Sequence, residues 1–428
     1  MSHDGKRLMI LGGNPETGVL VRLANALGIY TIVVDPNPSA PAKRFASEHH
    51  EMDGFDVDGI VVLAGSLGVD GVLVGVADVL VAPYYEICSR LGLPCYAAPP
   101  TISAFTTKDG FRSACNRFGV RDIPGVVVAG AEAGTEFTNM TYPAMLKPVD
   151  SGGGVGMHIC YTPSELKAQL GNALGHSKSG RVLIERYMQH DDMFAYYTLK
   201  DGTAYLSATA DRITTKKQSG SSPVCIAARY PSTHTDAFVE LAHPGIVHML
   251  EGLGVSDGVL NIQFFVDRDR FYAYDPGFRL QGEAPHIYLS HVNGFDHRRM
   301  LIDFALSGSM GVEDFEQRND FLLHGKRACT FWVLIRSGTV GTIEGFDALR
   351  GDPNVIFIQQ RLNEGDTVTT AMAGTERQVL ARIFTVADSG SEVSDVAERL
   401  RRALRVTDDR GNDMIVDWVN ATALVESG

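Results

Sequence analysis

The sequence offers little from which to build a disulfide framework or a zinc site. Its six cysteines, Cys88, Cys95, Cys115, Cys160, Cys225 and Cys329, form no CxxC pair and stand near no clustered histidines. Reduced thiols in a reducing compartment are the expectation. No apolar run approaches the ~20 residues of a membrane span. The opening MSHDGKRLMILGG lacks the long apolar core and cleavage site of a secretory leader. A cytoplasmic protein with no membrane partner is expected. Basic excess is missing as well: the net charge of −13 argues against nucleic acid as the main partner. No internal repeat or low-complexity tract appears.

What remains is ordinary globular material. The 428 residues are 44% hydrophobic and 21% charged, enough for roughly three domains. The first hundred residues alternate strand and helix, with strands at 8–11, 30–34 and 72–76 and helices at 17–27, 57–67 and 79–91. That alternation predicts an open parallel sheet with right-handed crossovers. Its ligand side would be the strand C-ends, where Gly12, Gly13, Asp35, Pro36 and Gly75 lie. Boundaries are expected near 99–107 and 323–327. Beyond the second come strand-like runs at 329–335, 354–360 and 378–386 and an amphipathic helix at 393–404.

Chemistry concentrates in YPAMLKPVDSGGGVGM at 142–157. An apolar strand delivers Lys147, and a glycine loop follows. Glycines let backbone N–H groups approach an anion, and a lysine beside them supplies positive charge. The loop is neither a Walker A motif nor GxGxxG. A plain hairpin turn would explain the glycines, but it does not explain a lysine interrupting an apolar strand. The run VLIERYM at 182–188 reads as a buried strand ending at Glu185; taken alone, a core strand with a surface glutamate explains it as well. Runs 261–266 and 271–279 read as a hairpin. A three-residue connection at 268–270 sets Gln263 opposite Asp275. Alternation then puts Asp275, Gly277, Arg279 and Gln281 on one face. An amide oxygen, a carboxylate and a guanidinium there suit magnesium on phosphates, and a charged surface hairpin is the competing account.

In order and spacing these segments resemble the ATP-grasp superfamily, in particular the branch of carbamoyl-phosphate synthase large subunits and biotin carboxylase and its short, stand-alone members. The resemblance covers nearly the whole chain. It implies a mixed α/β and α+β fold: a Rossmann-like pre-ATP-grasp domain at 1–105, an ATP-grasp domain at 106–325 with a lid at about 140–190, and a small β-rich closing domain at 326–428. Lys108 and Lys147 match the lysines on the nucleotide phosphates. Ser151, Gly152, Gly153, Gly154 and Gly156 match the phosphate-covering loop. Glu185, Arg186, Tyr187 and Met188 match the adenine hinge, and Asp192 the acidic residue on the ribose. Magnesium falls to Asp275 and Gln263. Here the chain departs from the family's Glu, then Glu-x-Asn-x-Arg, because it reads Gln263, then Asp275-Pro-Gly277-Phe-Arg279. Arg279 aligns with the arginine on the transferring phosphoryl group. Gln281 and Glu283 follow as in biotin carboxylase, with Glu283 a candidate base. Arg212, Lys216 and Lys217 are expected to border the substrate pocket, with a solvated basic loop as the competing account.

The implied activity is ATP-dependent activation of a small carboxylate as an acyl phosphate, then transfer to an amine or similar nucleophile. A bicarbonate-activating enzyme and a non-catalytic ATP sensor or assembly subunit are the alternatives. ATP and Mg2+ are the expected cofactors, small molecules the partners, and a homodimer the family-level assembly. His49-His50 is read as a surface loop, His286 as a surface histidine, Tyr84-Tyr85 as core and Asp78 as a ligand contact or a helix cap.

Overall fold

A computed structural model describes residues 3–130, 137–150, 155–215 and 224–424. The chain opens with β1 (Arg7–Leu11), whose last four residues are all buried, as a strand covered on both faces requires. Asn14 ends the turn that follows. Its side-chain oxygen accepts from the Thr17 N–H at 2.9 Å, and Pro15 opens α1 (Pro15–Ala26). Then come β2 (Tyr30–Val34), β3 (Glu48–His50), α2 (Val57–Leu67), β4 (Gly71–Val74) and α3 (Val81–Leu91). The sheet is parallel throughout, in the order β3-β2-β1-β4. It has one strand more than the alternation shows. His49 and His50 belong to edge strand β3, not to a loop, and His50 Nε2 lies 2.8 Å from Glu48. Three polar residues at an edge carry no apolar period to read.

Two helices, α4 (Pro99–Phe105) and α5 (Lys108–Phe118), lead onward. Thr107 caps α5 by accepting from the Gly110 N–H, which fixes Lys108 at the first helical residue. A second sheet contains β5 (Gly125–Ala129), β6 (Ala144–Pro148), β7 (His158–Cys160) and β8 (Arg181–Arg186), antiparallel in the order β5-β8-β6-β7. The period of two sorts its faces. Ala144, Leu146, Val182 and Ile184 pack with Leu166, Leu170 and Ala173 of α6 (Pro163–Gly175). Met145, Lys147, Leu183 and Glu185 share the other face.

The third sheet is the largest. It contains β9 (Asp191–Lys200), β10 (Thr203–Thr214), β11 (Cys225–Tyr230), β12 (Gly258–Asp267), β13 (Arg270–Gly277) and β14 (Arg327–Ile335). After β15 (Gly338–Glu344) come β16 (Val355–Gln360), β17 (Thr367–Val368), β18 (Val379–Ala387) and β19 (Arg405–Asp408). The order β13-β12-β9-β10-β11-β14-β18-β16 is antiparallel, so the sheet runs unbroken past residue 325 through the β11–β14 pairing. A small sheet, β17-β15-β19, stands beside it. The C-terminal amphipathic helix, Gly390–Ala403, buries Val393, Val396, Ala397 and Leu400 and is capped by Ser389.

The β12–β13 hairpin differs from expectation in two ways that cancel. Its connection has two residues, since Asp267 pairs with Arg270, and Arg268 takes a left-handed φ of 58°. A bulge then inserts Tyr274, so Gln263 still faces Asp275. The strand stops at Gly277, so Arg279 and Gln281 lie in the loop beyond it rather than along its face. Among the described residues, no helix is long and apolar enough to cross a membrane.

Candidate active site

Lys147 reaches into the space between the second and third sheets because its strand turns its apolar neighbours the other way. Its Nζ lies 2.5 Å from Glu185 Oε1, and both side chains are 7% exposed. Lys147 is paired with Leu183 across β6 and β8, so Glu185 is its diagonal neighbour on one face. Glu185 is therefore a buried partner of the lysine, not a surface carboxylate at a strand end. Lys108 approaches from α5, half-buried, its backbone N–H on the Val149 carbonyl at 3.2 Å. Burial, and then the charge of Lys147, lower its pKa, while Asp275, Glu185 and Asp150 oppose the shift. Asp275 opens to the same cleft. Its carboxylate is reachable by solvent but crowded by protein on its other sides, and that desolvation, with the Asp78 carboxylate, pushes it above its ordinary value, against Lys108, Lys147 and Arg279. Two lysines and one carboxylate from three separate elements thus share one field.

The hinge run follows β8. Backbone N–H groups of Arg186 and Tyr187 donate to the carbonyls of Pro124 and Pro143, each at 2.9 Å. Met188 is buried with Ile123 and Tyr272, and Phe265 stacks on Tyr274 with centroids 4.4 Å apart. This apolar wall beside the hinge suits a flat aromatic base. Ile123, Tyr272 and Tyr274 carried no motif, and only fold proximity reveals them. Ser151, Gly152, Gly153, Gly154, Lys216 and Lys217 lie outside the described residues. Gly156 takes a φ of 71°, a conformation that disfavours other residues.

Arg212, Asp192, Gln263, Tyr274 and Glu283 form one polar cluster. Arg212 and Asp192 are direct cross-strand neighbours, with Nη1 2.7 Å from Oδ2. The same nitrogen donates to Gln263 Oε1 and to the Tyr274 hydroxyl, each at 3.1 Å. Tyr274 lies 2.6 Å from Gln263 Oε1 and 3.0 Å from Asp192 Oδ1. Arg212 Nε is 3.4 Å from Glu283. Burial pushes Asp192 up to about 6, against the pull of Arg212 and Tyr274. Burial also acts to raise Glu283, but Arg212, Arg382 and Arg279 outweigh it and hold that carboxyl below its usual range.

Arg279 turns to the N-terminal sheet: its Nη2 lies 2.5 Å from Asp78, and Nη1 donates to the Leu280 carbonyl. Asp78 thus caps no helix; it holds an arginine 201 residues away. Beyond it, Gln281 is 1% exposed, and among the described residues neither end of its amide has a hydrogen-bond partner. His286, expected on the surface, is 6% exposed because it begins a helix, His286–Val292, packed into this junction. Glu16 of α1 meets Arg361 and Arg382 there, and Arg382 donates to the Gly282 carbonyl. A single nucleotide-borne divalent ion fits this set, because Asp275 is one carboxylate open to the cleft. Among the described residues, no group of three His, Cys, Asp or Glu could hold a metal by itself.

Residues 107–307 match the carbamoyl-phosphate synthase L chain ATP binding domain, and residues 331–408 match L-amino acid ligase C-terminal domain 2. In these two stretches the chain resembles the ATP-grasp ligases. Among its relatives, the chain is 24% identical over 285 residues to a formate-dependent phosphoribosylglycinamide formyltransferase of Bacillus subtilis (strain 168), covering 63% of this chain and 70% of that one. It is 24% identical over 306 residues to the carbamoyl phosphate synthase large chain of Rhodopirellula baltica, covering 68% of this chain but 27% of that one. The L-amino acid ligase from Bacillus licheniformis shares its fold, with a TM-score of 0.77, 16% identity, and coverage of 95% of this chain and 99% of the other.

Proposed function

We propose that this chain is an ATP-dependent ligase that activates a small carboxylate as an acyl phosphate and passes the acyl group to an amine or similar nucleophile, releasing ADP and phosphate. The meeting of Lys108, Lys147 and Asp275 within the matched ATP-binding domain carries the reading. In this account Lys108 and Lys147 neutralise the phosphates, and the 151–156 loop covers them. The hinge 185–188 and the wall of Ile123 and Phe265 take the base, and Asp192 lies toward the ribose. Asp275 would hold magnesium brought in with the nucleotide, and the ion would supply charge neutralisation at the phosphates. Catalysis is mainly positioning and charge stabilisation. Arg279, oriented by Asp78, faces the transferring phosphoryl group. Glu283, kept ionised by its arginines, accepts the proton that the nucleophile sheds once its new bond makes that proton acidic. Arg212 and Gln281 border the substrate pocket. The setting is cytoplasmic and the assembly a homodimer, which light scattering after size exclusion tests.

The deciding assay is ADP release with ATP and Mg2+ against amino acids and bicarbonate, alone and in pairs. Turnover that requires a carboxylate and a nucleophile together, and collapses in Lys147→Ala and Arg279→Ala, is the expected result. Full turnover in both variants would overturn the site assignment. Tight ATP binding with no turnover across the panel would point instead to a nucleotide sensor.

A further inference from the structure

At Gln263 and at Gly277 of the hairpin the structure places a guanidinium. Gln263 Oε1 accepts from Arg212 Nη1 at 3.1 Å and lies 2.6 Å from the Tyr274 hydroxyl. A carbonyl oxygen has two lone pairs, and both are engaged. Arg212 is itself held by Asp192 at 2.7 Å and by Glu283 at 3.4 Å, and its side chain is 16% exposed. At Gly277, a Cβ would stand 3.2 Å from an Asp78 carboxylate oxygen and 3.5 Å from the Arg279 guanidinium carbon. A side chain there would meet the Arg279–Asp78 ion pair. Asp275 alone among these positions keeps a carboxylate open to the cleft.

A divalent ion seated on Gln263 would have to displace a guanidinium that it repels. Arginine carries a permanent charge and five donors in a fixed fork, so it does not leave the amide oxygen by losing a proton. We infer that this chain binds its nucleotide with one divalent cation, at Asp275, and that Arg212, locked on Gln263, closes that position to a second cation. The inference rests on the ATP-ligase reading above.

Manganese stoichiometry tests it without turnover. Mn2+ is titrated into the full chain saturated with a β,γ-imido ATP analogue, and free Mn2+ is counted by its paramagnetic resonance signal. One Mn2+ per nucleotide-bound chain is expected. The double variant Arg212→Met/Gln263→Glu should rise to two. Two ions on the unaltered chain would overturn the inference and leave the ATP reading standing. A folded double variant that still holds one ion would overturn the role given to Arg212. Failure of the unaltered chain to bind nucleotide would overturn the ATP reading, and this inference with it. If the variant does not fold, the count on the unaltered chain decides.

Discussion

Lys147→Met should unfold this protein more than a surface lysine would, and the amount can be worked out from its contact with Glu185. Both side chains are 7% exposed and the charged atoms are 2.5 Å apart. Removing one partner of such a pair leaves a buried charge alone, which costs about 3–5 kcal/mol. In a unit of 150–250 residues each kcal/mol moves Tm by about 2–4 °C, so the loss is roughly 6–20 °C. Glu185→Leu should cost a similar amount, because it leaves Lys147 unpaired near Lys108. The double variant Lys147→Met/Glu185→Leu leaves no charge stranded and should recover most of the loss. Scanning calorimetry of the four chains gives the cycle, and isothermal calorimetry with ATP adds the functional half. The double variant should fold and fail to bind nucleotide. Single losses that simply add in the double variant would refute the coupling. A Glu185→Leu chain that melts with the unaltered protein would refute the buried pair itself.

Two pH dependences follow from other groups. Lys108 is lowered in the free chain by burial and by Lys147, and bound phosphates would raise it again. Binding should then take up a proton, and affinity should fall as pH rises past the lowered value. Calorimetry in buffers of different ionisation enthalpy reads that proton, Lys108→Arg should abolish it, and its absence from the unaltered chain would refute the shift. His297 is fully buried, with Nε2 2.5 Å from Thr198 Oγ1, and burial pushes it down to about 3. The unfolded histidine protonates below about 6.5 and the folded one does not. Its contribution to stability is therefore whole above that value and lost as pH falls toward about 3. Urea unfolding of His297→Gln should show a shallower acid slope than the unaltered chain, and an equal slope would refute the assignment.

Where function depends on local pattern, the sequence was readable. Lys147 stood out because a charge breaks an apolar strand, and the structure turns that charge away from the core of Leu146 and Ile184. The Gln263–Asp275 pairing was anticipated even though the turn is one residue shorter, because the Tyr274 bulge restores the register. The bulge itself leaves no mark in a run of aromatic residues. Continuing the alternation past Gly277 misplaced Arg279 and Gln281, since a strand's end depends on what its neighbour offers. The partners of the arginines were out of reach. Arg361 meets Glu16 across 345 positions and Arg279 meets Asp78 across 201, and no periodicity spans such distances. His286 was misjudged for a related reason: its burial comes from elements contributed by all three parts of the chain.

The arginine junctions bear on how an acidic chain can hold a polyanion. Four cations about the site already have a carboxylate: Lys147 has Glu185, Arg212 has Asp192 and Glu283, Arg279 has Asp78, and Arg382 has Glu16 and Glu376. A phosphate reaching one of these four cations must therefore exchange with a carboxylate rather than fall onto a bare charge. That lowers the gross attraction, but it fixes each guanidinium before the ligand arrives, and preorganised donors stabilise a transition state without reorganising during reaction. It also makes recognition short-ranged. At about 0.1 M salt the Debye length is about 10 Å, so the net charge of −13 is largely screened from the cleft. Inside it, the orientation of a few paired cations decides what binds. An anion whose oxygens cannot take over the geometry of Asp78 or Glu185 gains little from the exchange, so selectivity here resides partly in the carboxylates that hold the cations.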